Sequence, residues 1–428
     1  MMKFNFLSQK TILNTLLISC AITASAFNAH AQTTSISVGE AKTKKPDIHL
    51  ASPTSTGNEL TAEISQIQKT IASDLAFTDL FRSTPDSEKE KADYRSNGSI
   101  KLENGRISYE FHLKQTGNEQ DILGKRYQSD RDDYKTLAHL IANDIVMAIT
   151  GKKGIFLTRI AFACDRTGKK EIYTMNFDGS DVRQITRNRS ISLGPSWSTD
   201  GTRISYSVFN RHEDNTRNID LFEYNFKNGN LRMLSNRKGL NSGASYHPNG
   251  KQLALTLSYA GNPDIYLLNL ENRTVYQLTK SAGFDVDPAF SPDGSKIAFV
   301  SSRAGKPMVY TMSVAHPGDV KRITFAGSYN ATPNWSPDSK KIVFAGWIEG
   351  HFDIFSITAD GAKIERFTKN EGNNEDPSFS PDGSMIAFSS NRANKEKAIY
   401  VMNADGTNVR RLTFGLGNCS GSKWSPYL

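Results

Sequence analysis

The sequence predicts an all-β six-bladed β-propeller in the C-terminal two thirds of the chain, preceded by a small α/β domain. Three observations lead there: an aromatic-led turn motif with a period of roughly 45 residues, six copies of a short apolar strand at the same period, and a differently patterned segment before them. The motif reads Trp197-Ser-Thr-Asp-Gly201, Tyr246-His-Pro-Asn-Gly250, Phe290-Ser-Pro-Asp-Gly294, Trp335-Ser-Pro-Asp-Ser339 and Phe379-Ser-Pro-Asp-Gly383, with a sixth aromatic, Trp424, near the C-terminus. Repeats of that length build propeller blades rather than helical arrays.

Residues 1–31 read as a secretory signal peptide. Lys3 and Lys10 precede an apolar stretch over 11–26, and Ala29-His30-Ala31 places small residues for cleavage after Ala31. Leu17-Ile18-Ser19-Cys20 also fits a lipidation pattern, although Ala21-Ile22 continues the apolar run where a lipoprotein turns polar. Nothing later approaches the ~18 apolar residues of a membrane span. The mature protein is therefore expected to be a soluble, periplasmic monomer that does not span a membrane.

Residues 32–152 form the expected α/β domain, beginning with a polar tail that is mobile or an edge strand. Leu60, Ile64, Ile67, Ile71 and Leu75 recur at helical spacing, predicting an amphipathic helix to about Phe81. Residues 99–102 and 107–113 alternate around Asn104-Gly105, a hairpin signal. Leu137, Leu140, Ile141, Ile145 and Ile149 mark a second helix, stopped by Gly151.

Residues 153–428 form the propeller. In one unit, 330–336 reads as a first strand stopped by Pro337-Asp338, 341–345 as an apolar strand covered on both faces, 353–358 as a third and 363–368 as a fourth. The second strand recurs at Ile160, Ile204, Leu253, Ile297, Ile342 and Ile386, which fixes six blades. The copy at Ile160 lacks a preceding first strand, and the first strand at Trp424 lacks a following one. The two fragments combine into one blade, closing the ring and removing its free edges.

The balance of 52 Lys and Arg against 44 Asp and Glu gives a net charge of +8. Because the basic residues are interleaved with acids, nucleic-acid binding is not expected. After signal removal only Cys164 and Cys419 remain, without metal-site spacing. Ring closure brings them onto adjacent strands, about one residue out of direct opposition, so two separate buried thiols are favoured over a disulfide.

No cofactor, metal site or enzymatic activity is expected. A Gly-x-Ser-x-Gly elbow is missing from the sequence, and His212, His247, His316 and His351 occupy different repeat positions. Asp178, Asp360 and Asp405 sit in equivalent hairpin turns, where turn chemistry accounts for them better than calcium. Asp287-Pro288 and Asp376-Pro377 share one repeat position, with Glu375 beside the latter. They read equally as turn residues or as part of a binding ring at the channel mouth.

Signal peptide, α/β domain, aromatic repeats, Gly154-Ile-Phe-Leu-Thr-Arg-Ile-Ala-Phe162 at the junction and the terminal Trp424-Ser-Pro-Tyr-Leu428 together resemble the TolB family. The resemblance implies a periplasmic binding protein of the Tol-Pal system, supporting outer-membrane integrity and cell division. One propeller face would dock the lipoprotein Pal, and the mature N-terminal segment would bind TolA, with Pal binding changing the exposure of that tail; other outer-membrane lipoproteins are further candidate partners. By position, Val286 and Asp287 match one Pal-facing loop and Leu240 and Gly243 another. There the chain departs from the family, since Leu240-Asn-Ser-Gly243 lacks the histidine of a His-Asn-Gly-Ala pattern. Gln32, Thr33, Thr34, Ser35, Ile36, Ser37 and Val38 fall where the family binds TolA. As an exposed loop charge, Asp287 is expected to tolerate Asp287→Lys with little loss of stability.

Overall fold

The computed structural model describes residues 45–55, 59–118, 120–213, 215–393 and 395–428, so the predicted signal peptide and the tail segment Gln32 to Val38 lie outside the described residues. Lys45–Leu428 form one unit. Its first layer is a sheet ordered Arg82–Ser83, Asp47–His49, Tyr94–Glu103, Arg106–Gln115, Asp121–Asp130, with Thr54–Ser55 paired to the third of these. Asn104 and Gly105 both adopt positive φ, as a tight hairpin turn requires. Along Arg106–Gln115 the buried Ile107, Tyr109, Phe111 and Leu113 alternate and face a core shared with helices α1 (Thr61–Phe77) and α2 (Tyr134–Thr150). Helix α2 ends on Gly151 at φ 71°, whose N–H reaches the Met147 carbonyl at 2.9 Å. Helix α1 stops four residues before the expected Phe81, with Asp79 in the left-handed region at φ 55°.

Six four-stranded sheets follow, each antiparallel and in sequence order from the channel outward, except where the chain ends meet. Blade 1 is Cys419–Trp424, Arg159–Cys164, Glu171–Asn176 and Arg183–Gln184; blades 2 to 6 span 192–235, 241–277, 285–322, 329–366 and 374–411. The six-bladed ring and its closure by the last strand are as the repeat predicted.

The repeat motif has a local cause. In each Ser-Pro-Asp turn the serine and the aspartate hold one another: Ser291 Oγ donates to Asp293 Oδ1 at 2.6 Å, and the Ser295 N–H caps the same oxygen at 2.9 Å. At the equivalent Asp200, burial alone would raise the carboxyl, but donors from Ser198 and Thr202 outweigh it and hold the group at about 2. The aromatic before each turn packs sideways. Trp335 Nε1 donates to the Ala289 carbonyl of the preceding blade at 3.0 Å, and Trp197 Nε1 to that of Lys423 at 3.1 Å. Apolar second and third strands fill the gaps between blades, as where Ala254 and Ile265 of blade 3 meet Phe299 and Met308 of blade 4.

Cys164 and Cys419 form a disulfide, with S–S 2.06 Å and Cα atoms 4.2 Å apart, which corrects the expectation of two free thiols. The cause is a β-bulge. Trp424 pairs with Ile160 and Lys423 with Ala161, but the register shifts between Ser420 and Lys423, so Cys419 rather than Ser420 faces Cys164. Counting back from the turn without that extra residue leaves the cysteines one position out.

The α/β layer and the propeller share one apolar cluster. Phe177 of blade 1 sits among Phe77, His139 and Phe156, with ring centroids 4.9, 5.8 and 5.3 Å away. Arg410 of blade 6 donates to the Phe77 carbonyl at 2.6 Å, and its guanidinium lies 3.8 Å from the centroid of that ring. Beside them Asp74 of α1 pairs with His139 Nδ1 of α2 at 2.7 Å. Burial lifts Asp74 to about 6, more than the His139 contact lowers it. A carboxyl whose folded pKa exceeds its unfolded value favours folding when protonated. Stability should therefore fall as pH rises from about 4 to about 6, by at most ~3 kcal/mol. Urea midpoints across that range should show the slope in wild type and a flatter line in Asp74→Asn; equal slopes would refute the assignment.

Candidate partner-binding face

The innermost strand of every blade breaks its ladder at the same place. Register shifts fall between Leu193 and Ser196, Ser242 and Ser245, Val286 and Ala289, Ala331 and Asn334, Glu375 and Ser378, and Ser420 and Lys423. Each bulge holds one residue at positive φ: Gly194, Gly243, Asp287, Thr332, Asp376 and Gly421. Three of the six are glycine, which takes this conformation at no steric cost, and aspartate tolerates it better than most residues. The six positions lie three residues before the six motif aromatics and make a ring around the channel.

Neighbours in this ring touch. A Cβ on Gly243 would lie 3.3 Å from the Asp287 Cα, so a side chain there would press on blade 4. Asp376 Oδ2 accepts from the Gly421 N–H and from Ser389 Oγ, both at 2.8 Å, while its carbonyl accepts from Ser422 Oγ at 2.8 Å. Lys423, beside Trp424, lies within electrostatic reach of both Asp287 and Asp376. Burial pushes the Asp287 carboxyl up, partly offset by Lys423, and Asp376 raises it further. Burial likewise pushes Lys423 down, and the two carboxylates oppose that. The mouth is thus a narrow polar aperture in which two acids and one ammonium share limited solvent.

The residues expected on a partner face distribute unevenly here. Gly243, Asp287 and Asp376 belong to the ring itself, with Val286 and Glu375 one residue before it in their strands. Glu375 is tied to Lys397 Nζ at 2.7 Å. Leu240 lies outside the ring, in the loop leading into blade 3, held by a hydrogen bond from its N–H to Ser258 Oγ at 2.8 Å. Asp287 and Asp376 are strand residues, not members of an exposed loop. The Asp-Pro pair that reads as a turn is a bulge, whose kink and missing donor suit both residues. Asp287→Lys is therefore expected to cost stability rather than leave it nearly unchanged, because it would bring a second ammonium near Lys423.

Lys423 and Thr332 were missed. The signal for Lys423 was present: in six aligned repeats the residue before the aromatic is Ser196, Ser245, Ala289, Asn334 and Ser378, and lysine only at 423. The turn carboxylates accept hydrogen bonds within their own hairpins, Asp178 from the Ser180 N–H at 2.9 Å, Asp360 from that of Ala362 at 3.0 Å and Asp405 from that of Thr407 at 3.0 Å.

Three kinds of likeness to known proteins accompany this geometry. The sequence profile described as the TolB beta propeller domain matches residues 146–428. Among curated proteins, a protein TolB homolog of Chlorobium luteolum is 34% identical over 179 residues, covering 37% of this chain and 41% of its own length. The Tol-Pal system protein TolB of Geobacter metallireducens is 41% identical over 98 residues, covering 23% of each. The matched stretches thus span about two fifths or less of those relatives. Among solved structures, TolB from Acinetobacter baumannii aligns with a TM-score of 0.77 at 24% identity, covering 90% of this chain and 97% of that one, a likeness of fold.

Proposed function

The chain belongs to the TolB β-propeller family, and from that premise we propose that it is the periplasmic TolB component of a Tol-Pal system. In this reading the channel-mouth face docks the lipoprotein Pal, and the mature N-terminal tail, Gln32 to Val38, binds TolA, together supporting outer-membrane integrity and cell division. The observation that carries the docking reading is the convergence of Gly243 and Asp287 on one rim of the aperture, with Asp376 in the same ring. Two matched positions from separate repeats thereby become one surface. The buried Cys164–Cys419 disulfide supports an oxidising compartment such as the periplasm.

Convergent carboxylates in a propeller channel also suit a hydrolytic enzyme. Here Asp376 is committed to the Gly421 N–H and Ser389 Oγ, and Lys423 lies within electrostatic reach of both acids. That arrangement favours a rigid docking aperture, its carboxylates held by fixed partners, over a free acid and base pair.

A pull-down from periplasmic extract tests the reading, using the chain from Gln32 onward as wild type, Asp287→Lys, Asp287→Asn and a deletion of 32–40. Wild type should retain a peptidoglycan-binding lipoprotein, and both Asp287 variants should retain at least tenfold less. Thermal melts separate this from loss of fold, with Asp287→Asn keeping the shape of the side chain. The deletion should lose TolA alone. Equal retention by wild type and Asp287→Asn would remove Asp287 from the site, and TolA retained by the deletion would refute the tail assignment.

A further inference from the structure

The propeller is charge-polarised. Six pairs of connections, those between second and third strands and those between successive blades, emerge on the same side as the aperture: the N–H of Ser302 in one kind donates to the carbonyl of Phe284 in the other at 3.0 Å. Among the described residues of these connections, lysine and arginine clearly outnumber aspartate and glutamate. Arg166, Arg189, Lys238, Lys280, Lys306 and Lys369 all lie there with exposed side chains. The opposite end, made of hairpin turns, is rich in acids, including Asp178, Asp181, Asp200, Asp293, Asp319 and Asp382. Among the described propeller connections the positive excess thus gathers on the aperture side.

The basic side is also patterned. Its rim is cationic, whereas the centre carries Asp287, Asp376 and the partly exposed Glu375 around Lys423. The two most exposed aromatic rings of the described residues stand on the same rim, Phe325 at 71% and Phe414 at 68% exposure. Arg322 and Arg411 lie over them at 4.8 and 5.0 Å. Solvation alone needs neither the segregation of charge nor exposed phenylalanines beneath guanidinium groups.

Resting on the docking reading, we infer that the partner presents an acidic collar around a protruding basic or polar segment, the collar meeting the cationic rim and the protrusion entering the aperture. A flat anionic bilayer matches the rim but not an acidic recessed centre. A folded acidic protein surface can match both, and the long-range field of the rim would steer it to the correct end of the propeller.

Two triple variants of the chain from Gln32 onward separate position from net charge. Arg189→Glu, Lys280→Glu and Lys369→Glu reverse the rim; Lys227→Glu, Lys251→Glu and Lys340→Glu make the same formal change on the opposite end. Association rates with the soluble domain of the retained lipoprotein, and binding of a polyglutamate peptide, are measured at about 20 mM and about 300 mM salt. The rim variant should associate at least tenfold more slowly at low salt, the control should stay within about twofold of wild type, and the gap should close at high salt. The inference is overturned if both triples behave alike, if the rim variant keeps the wild-type rate, or if phosphatidylglycerol vesicles bind wild type and polyglutamate does not. If no lipoprotein is retained the docking reading fails by itself, and the polyglutamate comparison still decides the charge inference.

Discussion

A chain ending at Ser420 should fail to form a cooperatively folded propeller. The missing eight residues include most of the innermost strand of blade 1, paired to Arg159–Cys164. Trp424, only 6% exposed, would leave its socket, a loss of about 3–5 kcal/mol on its own. With it go the Trp424 Nε1 bond to Thr158 Oγ1 at 2.8 Å, the Trp424 N–H bond to Ser378 Oγ at 3.0 Å, and the exchange between Arg159 and Ser425 at 3.0 and 2.8 Å. These contacts join blade 1 to blade 6 and to the segment that leads into the propeller at once. Removing them also leaves Arg159–Cys164 as a free apolar edge, which favours aggregation. Circular dichroism on heating should show a broad, low transition in place of a sharp one. A truncated chain melting like the intact protein would mean that the ring does not depend on its clasp.

The second large effect is expected at the disulfide. Cys164 and Cys419 are separated by 255 residues, and cross-linking so long a loop restricts the unfolded chain by about 5 kcal/mol in the chain-entropy account. Measured losses on removing native disulfides run at about 2–5 kcal/mol. The double variant Cys164→Ala, Cys419→Ala should therefore unfold at clearly lower urea concentration while keeping its far-ultraviolet spectrum, since the strand pairing around it stays in place. The double substitution avoids a stray thiol. An unchanged midpoint would mean that the bridge only decorates a ring already held by hydrogen bonds.

Legibility in the sequence followed the length scale of the physics. The blades were readable because their signals are local: an aromatic, a serine and an aspartate that close one turn, then an apolar run. Asn104-Gly105 was readable for the same reason, as a pair that must take positive φ. Asp121–Asp130 was not, because its ten residues are largely polar and exposed and it is a strand only through its neighbour Arg106–Gln115. The short strands Asp47–His49 and Arg82–Ser83 likewise exist only by pairing. The candidate site was legible as a list of residues but not as a place. Asp287 and Asp376 drew notice through their prolines, yet a bulge and a turn look alike in sequence, and the same unseen bulge hid the cysteine register. Lys423 gained meaning only once ring closure set it near acids from blades 4 and 6.

The order of the strands in blade 1 also bears on time. Ribosomes make the chain from the N-terminus, so Arg159–Cys164 emerges with its partner strand still more than two hundred residues from being made. Until Cys419–Trp424 arrives, the ring stays open, its first blade lacks a wall and its first thiol has no mate. Closure of the fold thereby waits on a pairing of strands far apart in the chain, and a chain cut between them is left with a free edge and an unpaired sulfur.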